Sequence, residues 1–337
     1  MSTAIEFDHV GKHPLIIVMT PVRNEAWCLK AFLDSTSRWA DFIVIADQIS
    51  TDGSREIAQK YEKVVLIDNK NPDFNEAERQ AMLVAKAREI ARGRDTILFG
   101  LDADEIFETG FEETEDWQKI CLSAPGDVFW FKWAEICPDR KHYWLSPTTY
   151  YPWMFHDDGK EPHGNYVRNM HSMRIPYPIE EQQMYHVDGF RVLHLAYLNP
   201  HRVAAKRRFY CFVDWEMNDR RAVQLYRTYT QTKSEENVMD LDERMVVGDR
   251  GKNVLEDVDT TSTECWFDEY VAERLGRHSV KELRKLPIWD EEFCSGYCIK
   301  DPRRPVDRII HRYLRQTQLK KKRFIIRAID KLLKKIY

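Results

Sequence analysis

Four short apolar runs, one closed by proline and three by an acidic residue, set the terms for everything else in this chain. They are PLIIVMTP (14–21), FIVIAD (42–47), VVLID (64–68) and ILFGLDADE (97–105). Runs of this length with nearly every side chain apolar fit strands covered on both faces. The stretches between them have helical character. Asn24 to Trp39 repeats Trp27, Phe32 and Leu33 on one side, Asp52 is placed to cap a helix reaching Tyr61, and a longer helix is predicted from Asn75 to Ala91. Strand and helix alternating in this order imply parallel neighbours joined by crossovers, hence an α/β sheet with helices on both faces. Open sheets of this kind take their ligands at the carboxyl ends of the strands, where Asp47, Asp68 and Asp102 then lie.

The fourth run ends in Asp102 and Asp104, one residue apart, with Glu105 beside them. Carboxylates this close repel each other unless a cation or a proton intervenes. A plain acidic turn after a strand is the simplest reading, and a divalent metal is the functional one. Hard cations take oxygen ligands, and Mg2+ binds one or two carboxylates together with substrate phosphates. On that reading Asp104 contacts the metal, Asp102 serves metal or ribose, and Glu105 holds the turn. Asp47, at the end of the second strand, is placed to accept hydrogen bonds from a ribose or base.

Taken together, IIVMTPVRNE, VIADQISTDGSREIA and ILFGLDADE, in this order and spacing, resemble the family 2 nucleotide-sugar glycosyltransferases with the GT-A fold. Within that family the chain is most similar to bacterial cell-surface polysaccharide and lipopolysaccharide-core enzymes. The resemblance covers residues 14–107 and extends more loosely to 210. It implies a mainly parallel, Rossmann-like sheet and a nucleotide pocket lined by Pro21, Asn24, Glu25, Asp47 and Asp52, with Arg79 facing the nucleotide. It implies Mn2+ or Mg2+ held by Asp102 and Asp104 against the donor diphosphate, with His194 as a further ligand. An inverting transferase also needs a carboxylate to take the acceptor proton. Where related enzymes carry a His-Glu pair this chain reads His171-Ser172, so the base is sought at Glu181, then Glu180, after the turn RIPYP; Asp157, Asp158 and Asp188 are further carboxylates in that interval. Trp133, Trp144, Tyr150, Tyr151 and Trp153 are aromatics suited to stacking on sugar rings.

The sequence divides into a catalytic domain at 1–233, with a nucleotide-binding half at about 14–107 and an acceptor half at about 108–210, a helical C-terminal extension at 234–317, and a basic amphipathic helix at 318–337. That last segment has eight lysines and arginines against Asp330 alone, a local charge of +7 in a chain whose total is −4. Phe324, Ala328, Leu332 and Ile336 recur every four residues, with Ile325, Ile329 and Leu333 adjoining, so an apolar stripe faces dense lysine. An anionic membrane surface is the partner this pattern suggests, and nucleic acid is not expected. No apolar run approaches the ~20 residues of a membrane-spanning helix. The N-terminal residues show no secretion signal, and seven cysteines without a disulfide or zinc rhythm suit a reducing compartment. The expected protein is thus a metal-dependent, inverting glycosyltransferase acting on a nucleotide-diphosphate sugar and a glycan or lipid-linked acceptor, cytoplasmic and peripheral on the inner face of the plasma membrane. Two rivals are a sugar nucleotidyltransferase, disfavoured because TPVRNEAW has no glycine-rich basic loop, and a glycosyltransferase-like binding protein without turnover.

Overall fold

The structure is a computed structural model and describes residues 13–160, 170–177, 184–230, 235–248, 251–263 and 265–337. In chain order it begins with β1 (Leu15–Val22), α1 (Ala26–Thr36), β2 (Phe42–Asp47), α2 (Ser54–Ala58), β3 (Val64–Asp68), α3 (Glu76–Ala91) and β4 (Thr96–Gly100). Next come β5 (Glu105–Phe107), α4 (Glu115–Cys121), β6 (Val128–Ile136), β7 (His142–Leu145), β8 (Tyr151–His156) and β9 (Met184–His194). The remainder is mostly helical: α5 (Pro200–Asn218), α6 (Ala222–Tyr229), the short strand β10 (Val238–Asp240), α7 (Trp266–Leu275), α8 (Val280–Leu283), α9 (Glu291–Gly296), α10 (Pro305–Gln316) and α11 (Phe324–Ile336). These residues divide into two compact units. The first draws on Met1–Trp133, Thr148–Leu193 and Glu243–Asp257, the second on Ala134–Pro147, His194–Asp242 and Val258–Tyr337. The units cut across the sequence segments that end at 233 and 317.

In the first unit the predicted α/β alternation is present. β1 lies between two parallel neighbours, with Ile17 opposite Phe42 and Val22 opposite Asp47 on β2, and Leu15 opposite Thr96 and Met19 opposite Gly100 on β4. β3 extends the parallel set, Asp47 facing Asp68 across the pair. Beyond β4 the sheet turns antiparallel through β8, where Leu98 faces Phe155, and β8 pairs antiparallel with β6. Alternate side chains of the parallel strands serve the two faces, as the two-residue period of a strand requires. Ile17, Met19, Val44, Ala46 and Leu98 pack against Leu83, Val84, Ala87 and Ala91 of α3. Phe99, on the other face, meets Trp39, Phe107 and Trp117 at ring distances of 5.1, 5.6 and 6.1 Å.

The helices start where local chemistry allows. Asn75 caps α3 by accepting from the Glu78 amide, and Arg92 ends it in the left-handed region. The helix expected to run from Asp52 to Tyr61 is shorter: α2 spans Ser54–Ala58 and its cap position is Gly53, at φ 93°.

The second unit contains its own core. Phe209 of α5 packs on Trp266, Phe267 and Tyr270 of α7 with ring centroids 5.0, 5.2 and 5.1 Å apart. Arg208, buried, bonds both oxygens of Asp268 at 2.8 and 2.6 Å and Asp290 at 2.8 Å. α6, α10 and the end of α11 share a cluster of Ala222, Val223, Tyr226, Leu314 and Tyr337. The end of β6 pairs with β7, and β7 with β10, as a small antiparallel ribbon. No helix among the described residues is long and apolar enough to cross a membrane.

One glycine in the first unit is dictated by packing. A Cβ on Gly100 would sit 2.7 Å from the Arg174 Cβ and 2.8 Å from its carbonyl oxygen. Gly100→Ala is therefore expected to cost about 1–3 kcal/mol through overpacking, read as a lowered urea midpoint. Gly276→Ala, where an added Cβ meets nothing within 4 Å, is the control. Equal midpoints for the two variants would contradict this account of the close approach.

Candidate active site

The loops that follow β1 and β2 are tied together by the side chains the sequence singled out. Asn24 takes a left-handed backbone, φ 54°, and its amide donates to Ser50 Oγ at 3.0 Å. Its side-chain oxygen accepts from the Thr51 amide at 2.8 Å. The Glu25 amide donates to Ser54 Oγ at 2.8 Å, and the Glu25 carboxylate accepts from Trp27 Nε1 at 2.6 Å. Asp52 accepts from the Ala26 amide at 2.9 Å with one oxygen, and from the Ser54 amide and hydroxyl at 3.0 and 2.6 Å with the other. Asp52 thus satisfies the free amide at the start of α1 rather than capping α2 in the usual position. Pro21 closes the β1 side of this edge, opposite Ala46 of β2.

Asp47 is buried and is paired with Arg55 of α2 at 3.1 Å, and the same guanidinium reaches Asp68 at 2.7 Å. The loop after β3 joins the arrangement through Gln48 Nε2, which donates to the carbonyls of Asn71 and Asp73 at 2.7 and 2.9 Å, and Arg23, which donates to Pro72 at 3.0 Å. Arg79 on α3 lies 5.7 Å from the Phe74 ring centroid, and its buried Nε makes no hydrogen bond.

At the end of β4 the turn closes on itself. The Asp102 amide donates to Glu105 Oε2 at 3.0 Å and the Glu105 amide to the Asp102 carbonyl at 3.0 Å. Asp104 and Glu105 are buried. Above them lies Arg174, which sequence reasoning did not select. Its Nη2 donates to Asp102 Oδ2 at 2.6 Å and its Nη1 to Glu105 Oε2 at 2.5 Å. Its guanidinium carbon is 6.0 Å from the Trp133 ring centroid and 5.6 Å from that of Trp153. A glycine interrupting an apolar strand marks a close backbone approach, so Gly100 was the signal that another segment presses on this strand.

The charges respond to this crowding. Burial pushes Glu105 up to about 8; Arg174 opposes the rise, and Asp102 and Asp104 add to it. Burial works against the Arg174 charge, yet Asp102, Glu105 and Asp104 hold that guanidinium protonated, its pKa raised.

The other expected residues are placed as follows. His194, the last residue of β9, belongs to the second unit, where it is buried and meets Tyr197 edge-on at 6.1 Å. Glu180 and Glu181 lie outside the described residues. Asp157 is committed elsewhere: its amide donates to Thr96 at the start of β4, the end away from Asp102, and its carboxylate takes two hydrogen bonds from Arg88 at 3.0 and 2.8 Å. Asp188 pairs with Lys132 at 2.6 Å and Tyr150 at 2.7 Å, contacts that hold its pKa below the ordinary value. Trp133, Tyr151 and Trp153 cluster with ring distances of 5.2 to 5.6 Å, and two of them flank Arg174.

A family model described as "Glycosyl transferase family 2" matches residues 17–193, more than half of the chain. The chain belongs to that family. The α/β unit of this family 2 glycosyltransferase is accordingly a GT-A fold. Among solved structures, a 4-diphosphocytidyl-2C-methyl-D-erythritol synthase matches with TM-score 0.31 and 12% identity, covering 43% of this chain and 74% of that one. A glucosyl-3-phosphoglycerate synthase from Mycobacterium tuberculosis, crystallised with Mn2+, UDP and phosphoglyceric acid, matches with TM-score 0.26 and 18% identity over 36% of this chain and 43% of that one. HddC from Yersinia pseudotuberculosis matches with TM-score 0.30 and 8% identity over 54% and 93%. No curated protein matches the glycosyltransferase in sequence.

Whether these acids suit a divalent cation follows from the donor set. Among the described residues no group of three or more His, Cys, Asp or Glu side chains is arranged to hold a metal. Asp102 and Asp104 nevertheless offer carboxylate oxygens, and two carboxylates completed by substrate phosphate and water are an ordinary Mg2+ environment. The buried Glu105 Oε1 beside them has no hydrogen-bond partner, and Glu105 becomes a further oxygen donor only on losing the proton that its raised pKa holds. The residues fit the group.

The raised Glu105 pKa has a sign that can be measured. The folded state holds this proton more tightly than the unfolded chain, so the stability it contributes is complete below its ordinary value of 4.5 and is lost as pH rises through about 8. The difference in urea midpoint between the native chain and Glu105→Gln is therefore expected to change across that window. A difference that stays constant with pH would show that Glu105 is not the titrating group.

Proposed function

We propose that this family 2 glycosyltransferase transfers a sugar, with inversion, from a nucleotide-diphosphate donor to a glycan or lipid-linked acceptor, using Mn2+ or Mg2+. The observation that carries the reading is the placement of Asp102 and Asp104 at the carboxyl end of β4, in the same parallel sheet whose β1 and β2 lead into the Pro21–Glu25 and Asp47–Asp52 loops. Those loops are cross-bonded to each other by their own side chains, which limits the ordering that binding requires.

In this reading Asp47 and the backbone around Asn24 and Glu25 receive the nucleoside, while Asp102 and Asp104 hold the cation against the diphosphate. A divalent cation there supplies Lewis-acid stabilisation of the charge that grows on the leaving diphosphate. Arg174, fixed as a cation beside Asp102, adds positive potential at the same place. Trp133, Tyr151 and Trp153 form an aromatic wall beside that guanidinium, suited to the apolar face of a sugar ring. The acceptor hydroxyl gives its proton to a carboxylate, for which Glu181 and Glu180 are the candidates carried from the sequence.

Two measurements test this. Thermal-shift screening of nucleotide diphosphates and nucleotide sugars, with and without Mn2+, is expected to raise the melting temperature only for a matching base and more with metal present, because a ligand of the native state alone stabilises it. Asp104→Asn is expected to lower donor turnover by about 100-fold or more while the apo protein melts close to the native temperature. Absence of any nucleotide-dependent shift, or full turnover in Asp104→Asn, would overturn the proposal.

A further inference from the structure

The C-terminal helix α11 presents three distinct sides. Ile326, Asp330, Leu333 and Tyr337, spaced four, three and four apart, turn inward; Asp330 and Tyr337 are buried and Leu333 packs on the core cluster of the second unit. The inward side is locked by a two-pronged ion pair, Arg227 Nε and Nη2 to the two Asp330 oxygens, each at 2.9 Å. Arg227 also bonds the Leu314 carbonyl at 2.8 Å and Thr317 Oγ1 at 2.8 Å, so α6, α10 and α11 are held by one guanidinium.

Because the inward stripe is fixed, the outward ones are fixed too. Ile325, Ile329, Leu332 and Ile336 follow the same spacing one helical face away, and Phe324 is exposed at the start of the helix on the basic side. Phe324, Ile325, Leu332 and Ile336 are 85%, 69%, 64% and 69% exposed. The stripe noted in the sequence therefore faces solvent, apart from Leu333. The third side is basic: Arg323, Arg327, Lys331, Lys334 and Lys335, with Lys320 and Lys322 just before the helix, all exposed. The one acid of residues 318–337 is the buried Asp330. The exposed surface of this helix is thus apolar and positive without a negative group on it.

We infer that α11 docks this protein on an anionic lipid bilayer, its Ile325–Ile329–Leu332–Ile336 side set among the acyl chain tops and its basic side against the headgroups. An apolar stripe bordered by lysine and arginine is the pattern that lies in a membrane interface, with the long cationic side chains reaching headgroup level. A second copy of the chain is a poorer occupant. A two-fold contact through this helix would set two lysine-rich sides beside each other. A uniformly anionic plane satisfies both exposed sides together. Ordinary burial of the stripe within the fold is already excluded, since the inward side is filled by other residues. The inference stands on the helix alone and is independent of the reaction proposed above.

The test uses the full chain, because deleting α11 would also remove Asp330, Leu333 and Tyr337 from the packed interior. Co-sedimentation is measured with vesicles of phosphatidylcholine alone and of phosphatidylcholine mixed with phosphatidylglycerol. The native chain is expected to bind only the mixed vesicles, less as salt is raised. Leu332→Gln with Ile336→Gln, and separately Lys331→Gln with Lys334→Gln and Lys335→Gln, are each expected to weaken that binding by about ten-fold or more. Melting temperatures show that each variant remains folded; should the double variant unfold, Ile325→Gln, 69% exposed on the same stripe, replaces it. Failure of the native chain to bind mixed vesicles would overturn the inference, as would equal binding by folded variants. So would a native dimer in light scattering that the apolar variant splits.

Discussion

The contact between Arg174 and the acids at the end of β4 governs the first unit more than any other. Three carboxylates within four residues, two of them buried, are untenable without a nearby positive charge, because desolvation and mutual repulsion act together. Arg174 provides that charge from 72 positions along the chain. To deliver it, the segment carrying Arg174 comes so close to β4 that position 100 has no room for a side chain. The same segment is anchored on both sides of the arginine. The Ser172 amide donates to Glu76 at the start of α3 at 2.9 Å, and Ile175 and Tyr177 enter the core beside α3. Electrostatics, the strand glycine and the placement of residues 170–177 are therefore a single arrangement.

How much of this was legible in sequence depended on the range of the interaction. The strands β1 to β4 and the helix α3 declare themselves through local periodicity, and their parallel order follows from connection rules. The family resemblance added the fold and the donor-side acids, which periodicity alone does not distinguish from an acidic turn. The antiparallel strand β8 was less visible because its aromatic and proline-rich tract carries no clean period. Arg174 and Arg55 were passed over since their partners are distant in sequence or sit in another loop, so nothing local marks them. Asp52 shows the same limit: its local bonds to Ser54 at the start of α2 were expected, and its second oxygen also reaches across to α1.

The tail shows the same limit from another direction. The apolar stripe of residues 324–336 and the basic composition around it were both evident. Which side of the helix turns inward was not, because the inward side is organised around Asp330, the residue a hydrophobic pattern would assign to solvent. A buried aspartate is tolerated there only because Arg227 meets both of its oxygens. That pair frees the apolar residues of the helix from service in the core, and their exposure follows from it.

The two arginines at the carboxyl edge of the parallel strands point to a common electrostatic solution. Asp47 and Asp68 share Arg55, and Asp102 and Glu105 share Arg174. Left bare, four carboxylates along one edge would repel an anionic diphosphate, each charge contributing up to about 4 kcal/mol at 4 Å in a partly screened setting. Paired, they have half of that charge compensated and still offer oxygen ligands. On the reading proposed above, an edge that accepts both a cation and a polyanion has to avoid strong bias toward either. The arginines, fixed by packing rather than carried in by a ligand, achieve that in the protein itself. This also accounts for the division of the acids: Asp47, Asp68, Asp102 and Glu105 are held in ion pairs with arginine, while Asp104, between the last two in sequence, is buried in the same turn and adds to the rise of Glu105.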